Sequence, residues 1–213
     1  MIKLPEKKYV ASIDVDPQKT FTEQCPNEVP VPNAEHIVDE LNRQANYAQY
    51  RVGTKDAHSP QAIWIADKHN PVLSEIEGDN VDVRWPAHAV PGTPGFELIE
   101  GLPKVTDYDF FVWKGVELDM HPYGNCYHDL AEKMSTGLIE YLKHNNVTTV
   151  LVGGLIIEYC VKNTALQLKR ADLQVIVNLA ACQFLDPEIS QQACLEMKEQ
   201  GINIIESHKD IQQ

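Results

Sequence analysis

Basic charge is scarce in this chain: 18 Lys and Arg stand against 31 Asp and Glu, a formal net charge of −13 over 213 residues. The deficit is spread along the chain and does not collect in a tail. It argues against nucleic acid and anionic membrane surfaces as partners. No apolar run approaches the span of a bilayer, and Met1-Ile-Lys-Leu-Pro does not read as a signal peptide. Cysteine is also sparse. The five (Cys25, Cys126, Cys160, Cys182, Cys194) are odd in number and lack metal-finger spacing, which suits a reducing, cytoplasmic setting. Internal repeats and inter-domain linkers are missing too, so one domain over 1–213 is expected.

What is present is globular, with 43% hydrophobic and 23% charged residues. Short apolar runs alternate with helical patterns. Lys8-Tyr-Val-Ala-Ser-Ile-Asp14-Val-Asp16 reads as a first strand, stopped by Pro17. Further strands are expected at Tyr50–Lys55, Asp109–Lys114, Thr148–Gly154, Leu173–Leu179 and Ile202–Glu206. Asn33 is the expected N-cap of a helix to about Asn46, and Ser135 of a helix over Thr136–His144. A third helix runs on from Cys160 to about Arg170. Asp186-Pro187 opens the last, with Pro at N1, and Gly201 ends it. This alternation predicts an α/β fold: a six-stranded, mostly parallel sheet with helices on both faces. Between Ser59 and Tyr108 no strong periodicity appears, and loops of that length are usually functional or mobile.

Asp16, Asp56, Lys114 and Cys160 fall at or just past strand carboxyl ends, which share one edge in a parallel sheet and border the usual ligand crevice. Cys160 follows an apolar strand and a Gly pair, where a helix N-terminus would favour a thiolate. Taken alone it could be a small core residue. With Asp16 as proton acceptor and Lys114 as charge partner it becomes a candidate nucleophile. Asp56-Ala-His58 offers two ligands from an extended segment, and His88 a third; carboxylate plus imidazoles suits zinc, iron or manganese. The same histidines could instead cap turns or face solvent. Phe21 and Trp85 could wall a flat apolar pocket or plug core edges.

These residues, in this order, resemble the nicotinamidase branch of the isochorismatase-like cysteine hydrolases over nearly the whole chain. Asp16-Pro-Gln18-Lys-Thr-Phe21 is similar to the family's Asp-x-Gln-x-x-Phe, and Asp56-Ala-His58 to its Asp-x-His metal segment. Trp85-Pro-Ala-His88-Ala-Val-Pro-Gly92-Thr93 resembles its Trp-Pro-x-His-x-x-x-Gly-Thr run. Trp113-Lys114-Gly115 matches the lysine strand, and Glu158-Tyr-Cys160-Val resembles the nucleophile turn, with Glu158 in place of the usual Asp.

The resemblance implies an Asp16, Lys114, Cys160 triad and hydrolysis of nicotinamide to nicotinate and ammonia through a thioester, serving NAD salvage. It also implies an oxyanion site on the N–H groups of Ile156 and Cys160, with a cis peptide at Leu155–Ile156. Asp56, His58 and His88 would hold a divalent metal, zinc first, and Phe21 and Trp85 would flank the substrate ring. The implied partners are a small-molecule amide and further copies of the chain, as a homo-oligomer. Three departures keep another small amide or carbamoyl substrate in view. The stretch after His58 offers only Ser59 and Gln61 as a further ligand, leaving water or Glu75. Ile156-Ile157 are bulkier than the family's usual residues. Tyr123-Gly-Asn125-Cys126 replaces its common Tyr-Ser-x-Phe.

Overall fold

The computed structural model describes residues 1–213. In chain order the strands and helices are β1 (Ile2–Lys3), β2 (Val10–Val15), α1 (Ile37–Ala45), β3 (Tyr50–Asp56), β4 (Phe110–Lys114) and α2 (Leu138–His144). Then follow β5 (Thr149–Gly154), α3 (Lys162–Arg170), β6 (Gln174–Cys182), α4 (Pro187–Glu199), β7 (Asn203–Ile205) and β8 (Ile211–Gln212). Six strands form one sheet in the order β4-β3-β2-β5-β6-β7, and every pairing in it is parallel. The two remaining short strands, β1 and β8, pair with each other in a parallel ribbon that the sequence pattern did not signal.

The sheet is buried on both faces, which is why its strands read as near-continuous apolar runs. On one face Ile13, Val52, Val112, Val150, Val152 and Val175 pack against Leu138, Leu142, Ala165, Leu168 and Met197 of α2, α3 and α4. The other face carries α1 and the long segment between β3 and β4. There Ile37 and Leu41 join Trp64, Trp85 and Leu155 in a second core. Polar alternates of the strands meet α1: Gln44 donates to Ser12 at 3.2 Å, and Asn178 donates to Glu40 and Gln44, each at 3.1 Å. With partners supplied, these buried polar groups cost little.

Two helix starts differ from the sequence expectation. Asn33 lies in the left-handed region (φ 58°) and makes no side-chain cap; a 3-10 turn over 34–36 leads into α1. Ser135 accepts from Gly137 N at 3.0 Å, so the hydroxyl closes a local turn and α2 starts only at Leu138. At α4 the expectation holds: Asp186 accepts from the N–H groups of Glu188 and Ile189, with Pro187 at N1, a cap worth about 1 kcal/mol.

Chain direction across the sheet reverses between β2 and β5, the topological switch point where α/β sheets open a crevice. Val15 pairs with Gly154 there. Gly154 sits at φ 138°, and a Cβ on it would strike the Val15 carbonyl, so only glycine lets β5 leave the sheet beside β2. The segments that carry Asp16 and Cys160 depart from this pair of strands.

Candidate active site

Asp16 follows β2, Asp56 ends β3, Lys114 ends β4, and Cys160 follows β5. The fold thus brings the four to one edge, and all are buried. The Lys114 ammonium sits at their centre. It is ion-paired with Asp56 Oδ1, lies 3.3 Å from Asp16 Oδ2, and donates to the Pro122 carbonyl at 3.3 Å and to Cys160 Sγ at 3.8 Å. Burial alone would lower the lysine pKa, but Asp16 and Asp56 reverse that and hold it protonated, above its ordinary value. Burial raises Asp16 above the usual carboxylate range, with Lys114 opposing and Asp56 reinforcing. Asp56 goes the other way: burial pushes it up, yet Lys114 and His58 hold it well below.

Cys160 lies in a π-helical turn, Ile157–Val161, that leads into α3. Burial pushes its thiol well above the ordinary value; Lys114 pulls against this, and Asp56 and Asp16 add to the rise. The pull of the helix terminus toward a thiolate is therefore outweighed. Desolvation and two carboxylates outweigh the helix terminus, and the thiol stays protonated until a base takes its proton. A base is at hand, since a carboxylate oxygen of Asp16 lies within 4.8 Å of the thiol sulfur. The peptide Leu155–Ile156 is cis. Ile157 N donates to the Gln183 carbonyl at 3.0 Å, while Ile156 N has no acceptor within the protein.

Beside this group His58, His88 and His121 bring ring nitrogens within 4.8 Å of one another. His58 Nδ1 donates to the Gly115 carbonyl at 3.0 Å, and His88 Nδ1 to the Pro86 carbonyl at 2.8 Å. Those bonds place a proton on each Nδ1 and leave each Nε2 without a backbone partner. His58 Nε2, 3.4 Å from Asp56 Oδ1, and His121 Nδ1 are buried without a hydrogen-bond partner. Burial and then His58 push His88 down to about 3, and the same causes hold His121 well below its ordinary value, so both rings are neutral. Imidazoles with unpaired nitrogens beside an ionised carboxylate fit a divalent cation.

A pocket opens over these groups, walled by Phe21, Trp85, Tyr123, Ile156 and Tyr159, with Cys160, Lys114, His88 and His121 in its floor. Trp85 stands edge-on to Tyr159 at 5.0 Å and donates from Nε1 to Tyr123 Oη at 3.3 Å, and that hydroxyl donates to Asp82 at 2.7 Å. Of the two isoleucines before the nucleophile turn, only Ile156 faces this pocket. Ile157 turns into the core under α4.

All nine residues named from the sequence as site candidates converge here. Sequence reasoning passed over His121, Tyr159 and Thr54, and did not assign Asn125 a role. The ligand looked for after His58 is not at Ser59 or Gln61. Trp64 fills that region as a fully buried side chain, its ring 4.7 Å from His58 and 4.4 Å from His121. The clue to His121 was its position seven residues past a strand-end lysine, in a loop that starts at the same sheet edge.

Sheet order, switch-point crevice and a thiol, carboxylate and ammonium in contact define a doubly wound α/β hydrolase with a cysteine at its centre. The chain belongs to the isochorismatase domain family, whose profile matches residues 10–209. It is 29% identical to a nicotinamidase of Acinetobacter baylyi over 97% of this chain and 96% of that one. Among solved structures, a nicotinamidase/pyrazinamidase of Acinetobacter baumanii superposes with a TM-score of 0.86 at 29% identity, covering 95% of this chain and 98% of the other. A pyrazinamidase of Pyrococcus horikoshii, solved in complex with zinc, gives a TM-score of 0.74 at 28% identity over 92% and 98% of the two chains. No helix is long and apolar enough to cross a membrane.

Proposed function

We propose that this chain is a nicotinamidase, hydrolysing nicotinamide to nicotinate and ammonia. The observation that carries the reading is the contact of Asp16, Lys114 and Cys160 in the floor of a pocket between Phe21 and Trp85. Likeness to the Acinetobacter baylyi nicotinamidase supports the substrate.

Asp16 takes the Cys160 proton as Sγ attacks the carboxamide carbon. The carbonyl π electrons move onto oxygen, where the N–H groups of Ile156 and Cys160 receive the charge; such donors each supply about 3 kcal/mol. Collapse breaks the C–N bond, Asp16 returns its proton to the departing nitrogen, and ammonia leaves a thioester. Water, deprotonated by the same carboxylate, attacks the thioester and releases nicotinate, and the thiol recovers its proton. Lys114 keeps the buried charge balanced throughout. Asp56, His58 and His88 would hold a divalent cation, zinc by preference over iron or manganese, and that cation would supply a Lewis acid for the pyridine nitrogen. Phe21 and Trp85 flank the ring, an orienting role that acts through proximity.

Residues 1–213 are read as one domain, supported by a single sheet covered on both faces. Cytoplasmic placement is supported by five unpaired cysteines, and assembly as a homo-oligomer is testable by light scattering. The decisive assay follows ammonia release from nicotinamide, pyrazinamide and short linear amides in parallel. Nicotinamide is expected to show the highest kcat/KM. Clear preference for linear amides would replace this reading with a cysteine amidohydrolase of another small amide or carbamoyl compound.

A further inference from the structure

We propose that His121, in the loop between β4 and α2, is a direct ligand of the cation held by Asp56, His58 and His88. The inference rests on the metal reading above and adds to it a donor from a separate part of the chain.

Three observations carry it. First, the His121 ring is buried at 5% exposure, and its Nδ1 finds no hydrogen-bond partner. Buried ring nitrogens are ordinarily satisfied, so an orphan aimed into a cluster of other orphans calls for an absent group. Second, its donor lies within 4.8 Å of those of His58 and His88, and the His121 and His58 rings stack at 5.1 Å. No hydrogen bond joins His121 Nδ1 or His58 Nε2 to any other group, so contacts among the rings do not explain why the three are gathered. Both His58 and His88 spend their Nδ1 protons on backbone carbonyls.

Third, the loop is built to hold the ring in place. His121 N donates to the Asn80 carbonyl at 2.8 Å, Trp64 Nε1 donates to the Met120 carbonyl at 3.0 Å, and the Trp64 ring lies edge-on to His121. Trp64 thus occupies the stretch after His58 where a further ligand was sought, and braces the residue that takes over the task. Ligation at His121 also reaches the reaction centre. The next residue, Pro122, gives its carbonyl to Lys114, and Tyr123 holds Trp85. One short loop would then tie the cation to the triad and to the substrate wall.

A gained spectroscopic signal gives the test. In a Cys160→Ala background, which removes the native thiol beside the site, His121→Cys loaded with cobalt(II) should show a thiolate-to-cobalt charge-transfer band. Neither Cys160→Ala alone nor Cys160→Ala with His128→Cys should show it; His128 lies on the same loop outside the cluster. In competition with a chromophoric chelator, His121→Gln and His121→Ala should bind zinc at least ~100-fold more weakly than wild type, and His128→Ala should match wild type. Wild-type zinc affinity in His121→Gln, or a His121→Cys protein that binds cobalt without the band, overturns the proposal and leaves His121 as a wall residue stacked on Trp85. Loss of affinity in His88→Ala alone overturns only the His121 assignment, whereas a wild-type protein that takes up no divalent cation overturns the metal reading with it.

Discussion

The side-chain amide of Asn125 donates to Asp16 Oδ2 at 3.2 Å, and Thr54 donates to Asp16 Oδ1 at 2.6 Å, so both oxygens of the buried carboxylate are held. Thr164 accepts from the same amide at 3.1 Å and fixes its direction. Both donors favour the charged form of Asp16, against the burial that raises its pKa.

Removing Asn125 should therefore move the acid limb of activity. Asp16 must be ionised to take the thiol proton, and loss of a bond to the ionised form raises its pKa. Asn125→Ala should shift the acid limb of kcat/KM upward by about one pH unit. Asn125→Asp, which adds a like charge, should shift it further. Activity lost equally at every pH in Asn125→Ala would mean that the amide only supports the loop.

Cys160 is small and packed beneath the pocket, so Cys160→Ala removes the nucleophile without opening a large cavity. Ammonia release should fall to the uncatalysed background while the circular dichroism spectrum and zinc content stay those of wild type. Measurable steady-state turnover in the purified variant would exclude the thiol as nucleophile.

How far the chain could be read before its fold was seen depended on the range of the interactions involved. Strands buried on both faces must be apolar, so β2, β3, β4 and β5 stood out, and the charged residues where they stop marked the sheet edge. Asp186 and Pro187 were legible because a cap acts over two or three residues. Asn33 misled, since a residue that tolerates left-handed φ can serve as a turn as well as a cap. Asn125 reaches Asp16 across 109 positions and Thr164 across 39. His121 meets His58 across the chain, in a loop whose Met120 carbonyl is held by Trp64 Nε1. No local pattern encodes such encounters. The balance of forces on the Cys160 thiol is hidden for a related reason: helix position is visible in a sequence, but the desolvation that outweighs it depends on the finished packing.

Ile156 and Ile157 are adjacent but face different surroundings, which separates their effects. Ile156→Val and Ile157→Val should each cost about 0.5–1.5 kcal/mol of stability. Only Ile156→Val should change the kinetics, by relaxing selection against ring-substituted nicotinamides, because only its side chain lines the pocket. Steady-state assays with a series of ring-methylated amides, beside thermal melts of both variants, check this. Kinetic change confined to Ile157→Val would mean that the pocket is shaped from the core side.

Two glycines with positive φ distinguish backbone strain from damage to the metal cluster. Gly92 has φ 86° and open space where a Cβ would go, whereas Gly115 has φ 71° and a Cβ there would enter the His58 ring. A methyl at either site forces an L-residue into a left-handed conformation, destabilising by roughly 1 kcal/mol. At Gly115 it must also displace His58, whose Nδ1 is held by the carbonyl of that same glycine. Gly92→Ala should lower the melting temperature slightly and bind zinc as wild type does. Gly115→Ala should melt lower still and lose zinc affinity, because the imidazole that is pushed aside no longer points its Nε2 at Asp56 and His88. Equal zinc affinity in the two variants, measured by chelator competition on folded protein, would show that His58 is not a ligand and that the backbone after β4 plays no part in holding the cation.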